Sequence, residues 1–235
     1  MGHVHAMLNL GLMYDLGEGV PQDIKMAIEW YTKAAEAGET KAMYMLGLIY
    51  DNGGGVPQDI KMAIEWYTKA AAAGENGAMS KLGVIYNYGK GVPQDIRMAI
   101  EWFTRAASGG NSDAMNELGI ILYTKGEGVP QDINMAIEWF TKAAEAGGTD
   151  AMFNLGLIYD NGDGIPQNIE RAIEWYTKAA EAGYNNAMYK LGLIYYNGKG
   201  IPQDFERAIE WYRKAAAGGN SNAMDRLGSI YDNGK

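Results

Sequence analysis

The chain has 235 residues and a formal net charge of −9, from 29 acidic and 20 basic side chains. That balance argues against a general nucleic-acid binder, because phosphate contacts need clustered Lys and Arg. There is no cysteine, which excludes disulfide and thiolate chemistry. No apolar run approaches the roughly 20 residues that span a bilayer, so no membrane insertion is expected.

The dipeptide Ala6-Met7 returns at Ala42, Ala78, Ala114, Ala151, Ala187 and Ala223, in steps of 36 residues with one step of 37. Trp30, Trp66, Trp102, Trp139, Trp175 and Trp211 keep the same step, and so do all six prolines. A fixed period of this size marks a repeat array. The whole chain, 1–235, therefore reads as a single array: six full repeats, Ala6 to Asn222, and a seventh opening helix, thirteen helices in all. The one extra residue falls between Leu118 and Pro130, at or near the turn inside the fourth repeat. Met1 to Ala6 aligns with the join Ala37 to Ala42, and Tyr231 to Lys235 stops within a repeat. Both ends read as edges of a longer array, and end-to-end self-association through their apolar flanks is expected.

Taken in order, each repeat holds two helical patterns. In the first, Ala42, Leu46, Ile49 and Tyr50 recur at helical spacing. Gly47 sits inside that helix, and its counterparts are Gly11, Gly83, Gly119, Gly156, Gly192 and Gly228. Mid-helix Gly costs roughly 1 kcal/mol against Ala, so its recurrence implies a close approach by another helix. Gly53-Gly54-Gly55 ends the helix and Val56-Pro57 follows. The second helix starts near Asp59, a good N-cap. Ile60, Ala63, Ile64, Tyr67, Ala70 and Ala71 form its apolar stripe, and Gly74 closes it. Away from that stripe runs a ladder of i, i+4 pairs: Glu29–Lys33, Glu65–Lys69, Glu101–Arg105, Glu138–Lys142, Glu174–Lys178 and Glu210–Lys214. The ladder reads as a solvated, salt-bridged face rather than as catalytic carboxylates. One helix pair is too small to bury a stable core, so neighbouring pairs must supply it to each other.

The frame A-x-x-x-L-G-x-x-Y-x-x-G-x-G-V-P-x-D followed by A-x-x-W-Y-x-K-A-A-x-x-G closely resembles Sel1-like repeats, relatives of tetratricopeptide repeats. The resemblance covers nearly the whole chain. It implies an all-α fold, a right-handed α-solenoid of antiparallel helix pairs with about 36 residues per repeat. It also implies a scaffold for protein complexes. Cysteine-rich members carry a disulfide in each repeat. This chain has no cysteine, so functions proposed for that branch do not transfer.

No catalytic constellation stands out, and the chain is expected to be neither an enzyme nor a cofactor binder. His3 and His5 are the only histidines, with no Cys to complete a metal set. The glycine-rich turns lack the Lys-Ser/Thr of a phosphate-binding loop. The Trp and Met series recur at fixed phase and read as core. The resemblance implies ligands lying along the first helices on a concave side, so positions that vary there are the candidates. They are Tyr44, Asp51, Tyr88, Asn116, Asp150, Phe153, Asp160, Tyr189 and Tyr196. Asn offers a peptide backbone both donor and acceptor, Tyr gives apolar area with a polar tip, and Asp favours a cation. The competing reading is that the Asn and Asp cap helix ends and the rest is ordinary solvated surface. The expected role is a non-catalytic scaffold holding a basic or neutral peptide or protein segment. The alternative is a regulatory or targeting part of a longer protein whose enzyme domain lies elsewhere.

Overall fold

The computed structural model describes residues 2–124 and 129–232. Among them there are thirteen helices and no strand. The first repeats give α1 (Gly2–Leu16), α2 (Ile24–Glu36), α3 (Thr40–Asn52), α4 (Ile60–Ala72), α5 (Asn76–Tyr88) and α6 (Ile96–Ser108). Then come α7 (Ser112–Tyr123), α8 (Ile133–Glu145), α9 (Thr149–Asn161) and α10 (Ile169–Glu181). The chain continues with α11 (Asn185–Asn197), α12 (Phe205–Ala217) and α13 (Ser221–Asp232). The residues form two compact units, Met1–Ala114 and Met115–Lys235. Each is a stack of helix pairs, an all-α solenoid with about 36 residues per repeat.

Local chemistry sets the helix ends. Every second helix starts on a side-chain cap: Asp23, Asp59, Asp95, Asp132, Asn168 and Asp204 each accept from a backbone N–H of the first turn. The described first helices of repeats two, three, five and six end on Gly53, Gly89, Gly162 and Gly198 in the left-handed region. The next chain segment is then locked by a glutamine. Gln58 Nε2 donates to the Asp51 carbonyl at 2.6 Å, seven residues back. Gln22, Gln94, Gln167 and Gln203 repeat that bond at the same separation. Gln131 instead reaches Tyr123 over eight residues. The extra residue therefore lies between Tyr123 and Gln131, and Tyr123 is the true counterpart of Asp51. Lys125 to Gly128, within that stretch, lie outside the described residues.

The buried core belongs to no single repeat. Ala27, Tyr31, Ala34 and Ala35 of α2 cluster with Ala42, Leu46 and Ile49 of α3. Ala63, Tyr67, Ala70 and Ala71 of α4 do the same with Ala78, Leu82 and Ile85 of α5. The second unit repeats this at α8 with α9, at α10 with α11 and at α12 with α13. All of these clusters but the last are sealed by the Trp of the following second helix, as Trp66 seals the first. The recurring mid-helix glycine has the expected reason. A Cβ at Gly47 would lie 2.4 Å from the Tyr67 ring, and Gly11, Gly83, Gly119, Gly156 and Gly192 face equally close aromatic rings.

The charge ladder is solvent-exposed as expected, but its pairing differs. Among the described residues, only Glu210 and Lys214 close as a salt bridge of the set, at 2.7 Å. In every repeat the cation lies over the Trp three residues earlier, in the sixth alongside its Glu pair, from 4.1 Å for Lys69 on Trp66 to 4.8 Å for Arg105 on Trp102. The Trp face that the core leaves open is a fixed, partly desolvated partner, whereas the Glu is solvent-exposed and its pairing is screened by water. A second cation stack separates the later repeats. Arg171 and Arg207 stand where Met26, Met62, Met98 and Met135 stand earlier, and stack on Tyr159 and Tyr195.

Candidate functional site

The variable positions fall into two settings, a turn and a helix face. The turn reads Gly-x-Gly, and both glycines adopt positive φ, 69° at Gly53 and 81° at Gly55. Gly55 also has to be small, since a Cβ there would meet Ile24 of the preceding repeat at 2.4 Å. The residue between the glycines thereby reaches back across the repeat boundary. Lys90 Nζ pairs with Asp51 Oδ1, and Lys199 Nζ pairs with Asp160 Oδ1 at 2.7 Å. In the second unit the Tyr123 hydroxyl donates to Asp163 Oδ2 at 2.5 Å. That bond and one from Asn161 hold the Asp163 carboxyl below its ordinary range. Burial and the same bond push the Tyr123 hydroxyl up to about 12.

Asp51 and Asp160 are thus not free groove carboxylates. Each is only 5 % exposed. Beyond its lysine, each accepts at Oδ2 from a core phenol at 3.3 Å, Tyr67 for Asp51 and Tyr176 for Asp160. Burial, with the neighbouring carboxylate, pushes both phenols far above their usual range. Within one repeat the turn residue x is only part of a helix-ending glycine run. The signal that finds it is the variable residue inside the fixed Gly-x-Gly frame, aligned against the preceding repeat.

The helix face carries the aromatic candidates. Tyr44, Phe153 and Tyr189 occupy the same position on α3, α9 and α11 and are half-buried. Each ring rests on the core phenol of its paired helix: Tyr44 on Tyr67 at 5.9 Å, Phe153 on Tyr176 at 5.6 Å, Tyr189 on Tyr212 at 5.9 Å. Phe153 also meets Tyr184 at 5.0 Å. Burial, with the exposed Asp150 carboxylate nearby, raises the Tyr184 phenol. Asn116 is half-buried and accepts from Asn154 Nδ2 at 3.0 Å. Tyr196 meets Phe205 edge-on at 5.3 Å. Tyr88 is 66 % exposed. Tyr44, Asp51 and Tyr88 belong to the first unit, and the other six candidates to the second.

The first repeat boundary is different. Asp15 is half-exposed, and the turn residue facing it is Gly54. A cleft of about 430 Å³ opens there, lined by Asp15, Ile24, Met45, Leu48 and Gly54 among others. Its Met45 and Leu48 were not among the sequence candidates. Among the described residues no cluster of His, Cys, Asp and Glu is arranged to hold a metal ion. His5 Nδ1 lies 3.8 Å from Glu39. No described helix is long and apolar enough to cross a membrane.

The Sel1 repeat pattern matches residues 4–39, 40–75, 77–111, 112–148, 149–184 and 185–220. No curated protein matches the chain significantly. Among solved structures, the chain is similar to a protective antigen with the SLR fold from uropathogenic Escherichia coli. The two are 35 % identical with a TM-score of 0.85, over all of this chain and 50 % of the antigen. The chain thus spans half the length of that relative. It is also similar to a Sel1 repeat protein from Oxalobacter formigenes, 39 % identical with a TM-score of 0.81, over 91 % of this chain and 87 % of that one. An immunity protein from Pseudomonas aeruginosa is 25 % identical with a TM-score of 0.54, over 83 % of this chain and 74 % of its own.

Proposed function

The chain belongs to the Sel1 repeat family, whose members are generally protein-interaction scaffolds, and from that premise we propose that it binds a peptide or protein segment along its first helices, without catalysis. The observation that carries this reading is the repeated aromatic position. Tyr44, Phe153 and Tyr189 are each backed by a buried phenol and remain half open to solvent. A ring held in place from behind loses little entropy on binding, which makes it an economical anchor. Aromatic residues dominate binding hot spots at about 2 kcal/mol or more each. Asn116 supplies an amide, Tyr88 and Tyr196 further ring surface, and Asp150 negative charge. Asp51 and Asp160 act indirectly, by fixing Lys90 and Lys199 at the repeat boundaries. The net charge of −9 supports a basic or neutral partner.

The test begins with a displayed peptide library selected on the purified chain. The best peptide is then titrated by fluorescence anisotropy. Phe153→Ala with Tyr189→Ala should weaken it at least about thirtyfold, the equivalent of about 2 kcal/mol, and leave the helical circular dichroism unchanged. Asp150→Asn should slow association more than it speeds dissociation, since exposed charge acts mainly on encounter and is screened beyond about 8 Å. Unchanged affinity in the aromatic double variant, or a footprint on the second helices, sinks the proposal.

A further inference from the structure

The repeats of the first unit supply their own comparison. Asp15 and Asp51 occupy equivalent positions on α1 and α3, and each gives Oδ2 to the core phenol beneath it: Tyr31 to Asp15 at 3.2 Å, Tyr67 to Asp51 at 3.3 Å. At Asp51 the remaining oxygen, Oδ1, takes the Lys90 ammonium from the next turn, and the carboxylate side chain is 7 % exposed. The second unit repeats that arrangement at Asp160, where Tyr176 takes Oδ2 and Lys199 takes Oδ1. At Asp15 the phenol half is complete and the lysine half is missing. The turn residue that would carry it is Gly54, and a Cβ built there meets nothing within 4 Å among the described residues. Among the described residues Asp15 forms no ion pair. The space that remains is the cleft of about 430 Å³, with Ile24, Met45, Leu48 and Ile49 on its walls beside the polar Gln22 and Asn52.

We propose that this cleft receives a lysine side chain from a partner protein. The incoming ammonium takes Asp15 Oδ1, as the Lys90 ammonium takes Asp51 Oδ1, and the methylene stem lies along Met45, Leu48 and Ile24. A half-buried carboxylate already holding one neutral donor is completed by a cation, and apolar walls suit an alkyl stem with a charged tip. Lysine fits better than arginine. Only one carboxylate oxygen is open, so a guanidinium cannot make the two parallel bonds that favour it. The partner source rests on the protein-binding reading above, whereas the lysine site itself stands on the repeat comparison.

The probe is the tripeptide acetyl-Gly-Lys-Gly-amide, titrated into the ¹⁵N-labelled full chain and followed by amide chemical shifts. The control is the same peptide with norleucine, which keeps the stem and loses the charge. Saturable shifts around Asp15 and the Gly53 to Gly55 turn are expected with the lysine peptide, at least tenfold weaker with norleucine. Asp15→Asn should weaken binding at least tenfold. Gly54→Lys should abolish it, because the chain then supplies its own ammonium, and should raise the melting temperature. That variant has its precedent in Lys90 and Lys199, so it keeps the test open if Asp15→Asn folds poorly. Equal binding of the two peptides, shifts located elsewhere, or full binding by the Gly54→Lys variant overturns the inference. Each of those results leaves the Phe153 and Tyr189 proposal to its own assay, which reads residues of the other unit.

Discussion

Burying a phenol hydroxyl costs about 1–3 kcal/mol unless an acceptor meets it, and the second helices answer this repeat by repeat. Tyr31, Tyr67 and Tyr176 stand where the paired first helix offers Asp15, Asp51 and Asp160. Phe103 and Phe140 stand where it offers Asn87 and Tyr123. Tyr212 breaks the rule: its counterpart is Tyr196, and its hydroxyl is buried with no hydrogen-bond partner among the described residues. Tyr67→Phe and Tyr176→Phe should therefore each cost about 1–2 kcal/mol in urea unfolding. Tyr212→Phe should be neutral or stabilising. Equal losses in the three variants would show that the carboxylate is not what selects tyrosine.

Between elements, the close approach of paired helices depends on the missing side chain at Gly47. Ala at this position gains roughly 1 kcal/mol of helix propensity. Its Cβ, however, would sit 2.4 Å from two carbons of the Tyr67 ring, a ring with no exposed surface through which to move. Overpacking of this kind costs about 1–3 kcal/mol, so Gly47→Ala should lower the melting temperature. Gly228 is the internal control, since a Cβ there meets nothing within 4 Å among the described residues. Gly228→Ala should keep or raise the melting temperature, and a fall as large as that of Gly47→Ala would contradict the packing account. The same close fit recurs at helix joins. Asn76 and Asn185 donate to the carbonyls of Gly109 and Gly218, and a Cβ on either glycine would fall within about 2.1 Å of that amide.

For the molecule as a whole, the buried phenols set an alkaline limit. Burial raises Tyr31, Tyr67, Tyr176 and Tyr212 above their ordinary value, Tyr212 to about 12 and the others further. The unfolded chain releases these protons near pH 10 and the folded chain resists doing so. Their stability contribution is thus fully present below about pH 10 and is lost as pH rises through the folded values. The melting temperature should be level between about pH 7 and 9 and fall steeply above about pH 10, together with the appearance of tyrosinate absorbance. Tyr67→Phe combined with Tyr176→Phe should make that fall shallower. A decline that is already complete by about pH 9, or one unaffected by the double variant, would place the alkaline limit elsewhere.

The sequence by itself determined the period, the helix pairs, their N-caps and glycine stops, the core stripe and the need for a small residue at Gly47. All of these depend on spacing within one repeat, where backbone geometry alone relates one residue to the next. The tertiary structure decided what crosses from one repeat to another. Lys90 meets Asp51 and Lys199 meets Asp160 across 39 residues, so neither pair shows in any helical period. The cations of the ladder all stack on Trp, and Lys214 alone also keeps its Glu, because packing against the neighbouring core had fixed the indole. The site of the extra residue needed the Gln131 bond to Tyr123. The open carboxylate of Asp15 became visible only once stacking had set Gly54 opposite it, where the turns facing Asp51 and Asp160 place a lysine.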